Sequence, residues 1–327
     1  MRILYDLNES VYKRISELLE KGQYSTVQAF LDISVANQLY LEERGLNEAH
    51  VSKKVHSSPS RLQIEKIHDF KEVGRNWRNL STVEPVPVAT LRTQLMPFCN
   101  RIFPAKVAAR VLCNTLGENQ TVDYNVYSDV ISQVAVQLGI YLGGLDKKQK
   151  RSFRIEALSI GLPAAKRGDK KVAIRRFLEH VVGGRRKLEE HYGMLFTLGL
   201  VGMPEKNKLG VTSDGIRFSE LENPVLDGAE NEFSNLKSCL SKEEAHYYSE
   251  IVARRLPEER KTMEILTEIV RSNHTYLQIC ADYGERLNLG IDNNLKQTVS
   301  TELARMRELG IVLTKTEGLK TYYDLAT

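Results

Sequence analysis

The stretch from Thr275 to Thr327 constrains the fold most, because its residues specify three consecutive elements with almost no spare chain between them. TYLQICADYGERLNLG carries the periodicity of one short helix, which Gly290 ends, and DNNLKQTVSTELARMRELG supplies a second helix with Asp292 or Asn293 available as its cap. In that second helix Leu295, Val299, Leu303, Met306 and Leu309 recur at spacings of three and four and are assigned to the core. Asn294, Thr298, Thr301 and Arg305 then fall on another, polar face, flanked by Lys296 and Gln297. GIVLTKTEGLKTYYDLAT follows as two alternating apolar runs around Thr316-Glu317-Gly318, the pattern of a β-hairpin with Lys315 and Lys320 beside its tip.

Helix, helix, hairpin is the order of a winged helix. The polar face of the second helix suits duplex DNA: Asn and Gln match adenine, Arg matches guanine, and Thr can meet a thymine methyl. The same module also serves as a protein-docking or dimerisation unit, since a fold does not fix a function. Charge does not decide between them: residues 288–320 hold five Lys or Arg against four Asp or Glu, an excess of only +1. Phosphate binding here therefore depends on placement.

The total charge of +4 is distributed unevenly. From Lys147 to Lys187 fourteen cations face only Glu156, Asp169 and Glu179, a local excess of +11, which leaves −7 for the rest of the chain. Such an asymmetry is expected where one surface meets a polyanion. This segment runs into a second pattern of the same kind. KKVAIRRFLEHVVGG and RRKLEEHYGMLFTLGLV predict two helices divided by Gly183-Gly184, and VGMPEKNKLGVTS predicts a hairpin with Pro204, Glu205, Lys206 and Asn207 at its tip. LGLV before this hairpin echoes LGIV at residues 309–312. Glu189 and Glu190 make the helix a poor base reader, so Lys170, Lys171, Arg175, Arg176, Arg185, Arg186, Lys187, Lys206 and Lys208 are assigned to phosphate contact.

Upstream, FPAKVAARVLCNTLG and VYSDVISQVAVQLGIYLGG predict two further amphipathic helices, which places a helical or winged module at residues 88–165 and the next at 166–228. The C-terminal module is assigned to 229–327. Residues 46–87, with Pro59, Pro85 and Pro87 and little periodicity, read as a linker, part of which docks because it carries the lone Trp77.

At the N-terminus, RILYDLNESVYKRISELLEKGQYSTVQAFLDISVANQLYLE predicts a strand, a helix from about Glu9 to Lys21, a Gly-containing turn and a second helix near Ser25. It resembles the ribbon-helix-helix domains of the Arc/MetJ/CopG type over residues 1–45. The resemblance implies a ribbon that pairs with a second chain through Ile3, Tyr5 and Leu7, while the alternate residues face the major groove. Those alternate positions here include Leu4 and Asp6, which do not suit base edges or phosphate, and residues 1–45 hold five cations against seven carboxylates. Dimerisation is the expected role.

The remaining readings are exclusions. With 42% hydrophobic and 27% charged residues the chain is globular, it has no apolar run near the roughly 18 residues a membrane span needs, and MRILYDLNES is not a secretory leader, so a cytoplasmic, nucleoid-associated protein is expected. Cys99, Cys113, Cys239 and Cys280 are too widely separated for a zinc ribbon or a disulfide framework and read as buried thiols. The phosphate-loop, dinucleotide-binding, zincin and nucleophile-elbow motifs are missing, and the histidines lack ligand spacing, so neither catalysis nor a metal or cofactor is expected. The expected fold is mainly α, a ribbon-helix-helix followed by two or three winged-helix modules with small hairpin wings, and the expected partners are double-stranded DNA, a second copy of the chain, and other proteins.

Overall fold

The computed structural model describes residues 77, 79–87, 94–95, 99–117, 119–152, 156–163, 170–183, 193–228, 233, 236, 238–271, 274–317 and 320–326. Contacts divide the chain after Ser60, and every described residue belongs to the second unit, 61–327. The N-terminal ribbon with Ile3, Tyr5 and Leu7 lies outside the described residues.

The described chain is mainly helical with two small antiparallel sheets, and one strand order occurs in it twice, the first time with an additional helix and π-helical turn between the short strand and the hairpin. The first occurrence comprises α1 (Phe103–Leu116), β1 (Val122–Asp123) and α2 (Tyr124–Lys148), then α3 (Lys170–Phe177) with a π-helical turn (Leu178–Val182), and finally α4 (Met194–Thr197), β2 (Val201–Glu205) and β3 (Lys208–Val211). After α5 (Ser213–Glu220) and α6 (Lys242–Arg255) comes the second: α7 (Pro257–Val270), β4 (His274–Thr275), α8 (Tyr276–Leu287), α9 (Asn293–Glu308), β5 (Val312–Glu317) and β6 (Lys320–Leu325). The strand orders match, β1-β3-β2 and β4-β6-β5, so in each the two-residue strand pairs with the second hairpin strand.

Local chemistry explains the correspondence. Each two-residue strand ends in a residue that starts the next helix: Asp123 accepts from Asn125 N at 2.9 Å, and Thr275 N donates to Gln278 Oε1 at 2.9 Å as half of a capping box. The LGLV and LGIV echo is a helix stop. Gly199 and Gly310 take φ of +69° and +73°, and each donates back into its helix, Gly199 N to Phe196 O at 2.9 Å and Gly310 N to Arg307 O at 3.0 Å. The next residues close the longer bond of a Schellman motif, Leu200 N to Leu195 O at 2.9 Å and Ile311 N to Met306 O at 2.8 Å. Each hairpin begins one residue later.

Two apolar cores result, one built around α1, α2, α4 and α6 and one around α7, α8, α9 and β5, with Met263 packed against both. Three sequence boundaries move as a consequence. β1 pairs with β3 through Val122↔Leu209 and Asp123↔Lys208, so a division at 165/166 would cut one sheet. α6 contributes Tyr247, Tyr248, Ile251 and Val252 to the first core, so the last module starts at α7 rather than at residue 229. The end of the linker is also built in. Trp77 Nε1 donates to Asn114 Oδ1 at 2.8 Å, and Val83 N donates to Val211 O at 2.9 Å. Residues 83–84 lie over the Gly202↔Gly210 pair, where a Cβ at Gly202 would stand 2.1 Å from Glu84 O.

Candidate nucleic-acid interface

α8 ends at Asn288, whose φ of +53° turns the chain, and Asp292 opens α9 by accepting from Leu295 N at 2.8 Å. Leu295, Val299, Leu303 and Met306 bury one side of α9, as the periodicity predicts. The N-terminal half leaves Asn293, Asn294 and Ser300 exposed and Lys296, Gln297 and Thr298 partly so. Tyr276 Oη donates to Lys296 O at 2.5 Å and ties this half to the start of α8.

The C-terminal half is different, and it corrects two expected contacts. Arg305 and Thr301 are buried, at 2% and 5% exposure, together with Glu302 and Glu308. At about 100° per residue these lie on the same side as Asn294 and Thr298, but there the chain before α1 covers the helix. Arg305 Nη1 donates to Cys99 O at 2.6 Å, and Arg101 Nη1 donates to Ala304 O at 2.9 Å. Glu308 accepts from Ile102 N at 2.6 Å and from Phe103 N at 3.2 Å. Arg305 and Glu308 therefore hold α9 against the chain leading into α1, and Thr301 and Arg305 are withdrawn from any solvent-facing role.

Charge makes that clamp unusual. Arg305 bonds Glu302 and lies 2.7 Å from Glu259 Oε1 of α7, whose Oε2 accepts from Leu95 N at 3.1 Å. Two buried carboxylates thus share one guanidinium. The short Arg305–Glu259 approach is an ion pair without a directed hydrogen bond, because Glu259 Oε1, Glu302 Oε1 and Arg305 Nε all lack hydrogen-bond partners as charged groups. Burial pushes the Glu302 carboxyl up to about 8, against the pull of Arg305 and with Glu259 adding to the rise.

Other buried charges belong to the frame. Lys106 Nζ and Glu244 Oε1 meet at 2.7 Å with no exposure, and burial moves both toward neutrality, Lys106 down to about 8 and Glu244 upward. Arg110 grips Asp227 with both nitrogens at 2.6 Å. All four cysteines are buried free thiols.

One face of the second hairpin is open. Leu313, Lys315 and Glu317 point to solvent opposite Asp324, Tyr322 and Lys320. Lys315 Nζ pairs with Glu317 Oε1 at 2.7 Å, both side chains well exposed, while Lys320 stands exposed across from Glu317. With Arg305, Glu302 and Glu308 buried, residues 288–320 present Lys296, Arg307, Lys315 and Lys320 against Asp292 and Glu317. The excess at the surface is +2, not +1.

In the first repeat, Lys170, Lys171, Arg175 and Arg176 are exposed on α3, Arg175 with Glu179 Oε1 at 3.9 Å. Lys206 is exposed and Lys208 half-buried at the hairpin turn, where Asn207 takes φ +64°. Arg185, Arg186 and Lys187 lie outside the described residues. A single helix from 185 through 197 does not form, because Gly193, at φ 124° and ψ 156°, interrupts it and α4 starts only at Met194. Arg151, counted in the basic run, turns inward instead and donates to Leu236 O at 2.8 Å and to Phe233 O. Asn293, read from sequence only as a possible cap, and Ser300 were not assigned to the polar face, although both share the turn positions of Lys296 and Gln297.

Among the described residues no cluster of three or more His, Cys, Asp or Glu is placed to hold a metal, and no helix is long and apolar enough to cross a membrane. No protein-family model, no curated protein and no solved structure matches the chain.

Proposed function

We propose that the chain binds duplex DNA, with the second repeat acting as a winged helix: α9 meets the major groove and the β5–β6 hairpin is the wing. One observation carries the reading. Asn293, Asn294, Lys296, Gln297, Thr298 and Ser300 stand open or half-open on a helix whose other half is fixed to the body of the protein, so amide, hydroxyl and ammonium groups are presented from a rigid mount. Lys320 and Lys315 flank that helix in the chain and suit phosphate. The first repeat contributes Lys170, Lys171, Arg175, Arg176, Lys206 and Lys208 as backbone contacts. The biological role we assign is that of a dimeric transcriptional regulator, and a protein marking a plasmid or mobile-element site would use the same contacts.

One specific feature favours a second reading, a non-catalytic adaptor that docks proteins. Leu289 and Ile291, at 55% and 51% exposure, put apolar surface at the turn before α9, and Leu277 adds more at the start of α8. Titration of the full chain with a random-sequence duplex over a salt series separates the two. A DNA binder loses affinity with a log–log slope near −0.9 per phosphate contacted, and Lys170→Ala with Lys171→Ala makes the slope shallower. Absence of binding even at low salt hands the assignment to the adaptor. Alanine at Lys296 and Gln297 tests whether α9 reads bases, because a reader loses preference for a selected sequence before it loses general affinity.

A further inference from the structure

α2 presents an unusual outer face. Its buried residues, among them Tyr127, Ile131, Ala135, Leu138, Leu142 and Leu145, lie on one side of the helix, with Gly139 pressed against Leu162 and Pro163. On the opposite side Val126, Val130, Gln133, Gln137, Ile140 and Gly144 fall within about 80° of arc at roughly 100° per residue. Val126, Val130 and Ile140 are 53%, 36% and 43% exposed, three of the seven large apolar side chains that the described residues leave at the surface. No charged residue occurs between Val130 and Leu145, whereas a solvated helix face ordinarily carries charge. Exposed charge returns only at the ends, as Asp129 toward the N-terminus and Lys147 and Lys148 at the C-terminus.

The placement of those ends identifies the occupant. Asp129 and Lys147 are eighteen residues apart, five whole turns at 3.6 residues per turn, so both lie on the same edge of the stripe. A twofold axis perpendicular to the helix and passing near Gln137 and Leu138 brings Asp129 of one copy against Lys147 of the other, twice. The same axis brings Val130 to within about 3 Å along the helix of Gly144 of the other copy, where nothing lies within 4 Å of the Cβ position. The stripe is therefore complementary to itself in antiparallel orientation, in both charge and shape.

We propose that α2 is a self-association surface that packs antiparallel on α2 of a second copy of this chain. The pairing does not depend on the DNA reading and is separate from the N-terminal ribbon. Because all four native cysteines are buried, a single surface cysteine reports it directly in the full-length protein. Gln137→Cys, beside the axis, forms a disulfide-linked dimer under mild oxidation on the order of 100-fold faster than Ser213→Cys, an exposed control on α5, since pairing inside a dimer raises the effective thiol concentration from micromolar to millimolar. Asp129→Lys in the Gln137→Cys background slows the reaction toward the control rate, and adding Lys147→Asp with Lys148→Asp restores it. Cross-linking of Gln137→Cys no faster than the control, or at a rate unaffected by Asp129→Lys, overturns the proposal, whatever the oligomeric state of the whole protein.

Discussion

The two repeats share strand order, helix starts and glycine stops, yet they differ in the helix before the hairpin. In the second repeat α9 runs unbroken for 16 residues after its cap Asp292, and in its first two turns the side away from Leu295 and Val299 stays open. In the first, Gly193 confines α4 to four residues, all buried, directly ahead of the hairpin. The strand order is thus shared while the presented surface differs: the second repeat offers hydrogen-bonding groups on a helix, and the described residues of the first offer cations on α3 and at a turn. Topology fixes the frame, and continuity of one helix decides whether the frame displays anything.

The sharpest break in the comparison is Arg305, because one half of α9 is display and the other is anchor. Arg305→Met leaves Glu259 and Glu302 buried without their cation and should lower stability by about 3–5 kcal/mol in denaturant unfolding. Gln297→Ala, on the open half, should stay within about 0.5 kcal/mol. Were Arg305 a surface residue that reads bases, its loss would leave stability unchanged and alter only binding, and the division of α9 into two halves would fall.

The same anchor sets a pH dependence. Folded Glu302 holds its proton up to about 8, whereas the unfolded carboxyl releases it near its ordinary 4.5. The folded state therefore binds the extra proton across that window, and the stability it provides, complete below about 4.5, is lost as pH rises through about 8. Glu302→Gln keeps the neutral form at every pH. Unfolding measured between pH 5 and 8 should show the parent losing stability relative to this variant, by at most ~1.4 kcal/mol per pH unit. Parallel curves would mean that the pair is fully ionised.

Much of this was legible in the sequence wherever one segment packs on one core. The 3–4 spacing of Leu295, Val299, Leu303 and Met306, the caps, and the hairpin turns depend on neighbours close in the chain. The anchor was not legible, because Arg305 and its neighbour Ala304 bond residues about 200 positions earlier, and polar residues on a helix carry no mark of a second partner. The boundaries failed for the same reason: a two-residue strand such as Val122–Asp123 has no period, yet its pairing with β3 fuses two predicted modules. Within the candidate interface the exposed amides could be read, but which half of the helix stays open depended on packing between the repeats.

The glycine stops sharpen the likeness between the repeats. Both sit at positive φ, so alanine at either costs about 1 kcal/mol from the backbone alone. At Gly310 nothing lies within 4 Å of the added Cβ, and the cost ends there. At Gly199 the Cβ would come within 2.5 Å of the Arg255 guanidinium, which is held by Val86 O at 3.0 Å, so Gly199→Ala should cost more than Gly310→Ala. Equal losses in thermal unfolding would show that Arg255 moves freely aside.

The smallest expected effect separates the two lysines of the second hairpin. Lys315 already has Glu317 at 2.7 Å, and although an exposed pair of this kind adds little to stability, it offsets part of the charge that a phosphate would meet. Lys320, directly across the hairpin from Glu317, is the cation with more to give if the wing touches the DNA backbone. Lys320→Ala should then flatten the log-affinity against log-salt line by close to 0.9, Lys315→Ala by less, and Glu317→Gln should steepen it, none of the three altering sequence preference. Stability should remain within about 0.5 kcal/mol throughout. If all three variants bind a random-sequence duplex as the parent does, the hairpin is no wing, and contact rests on α9 and α3 alone.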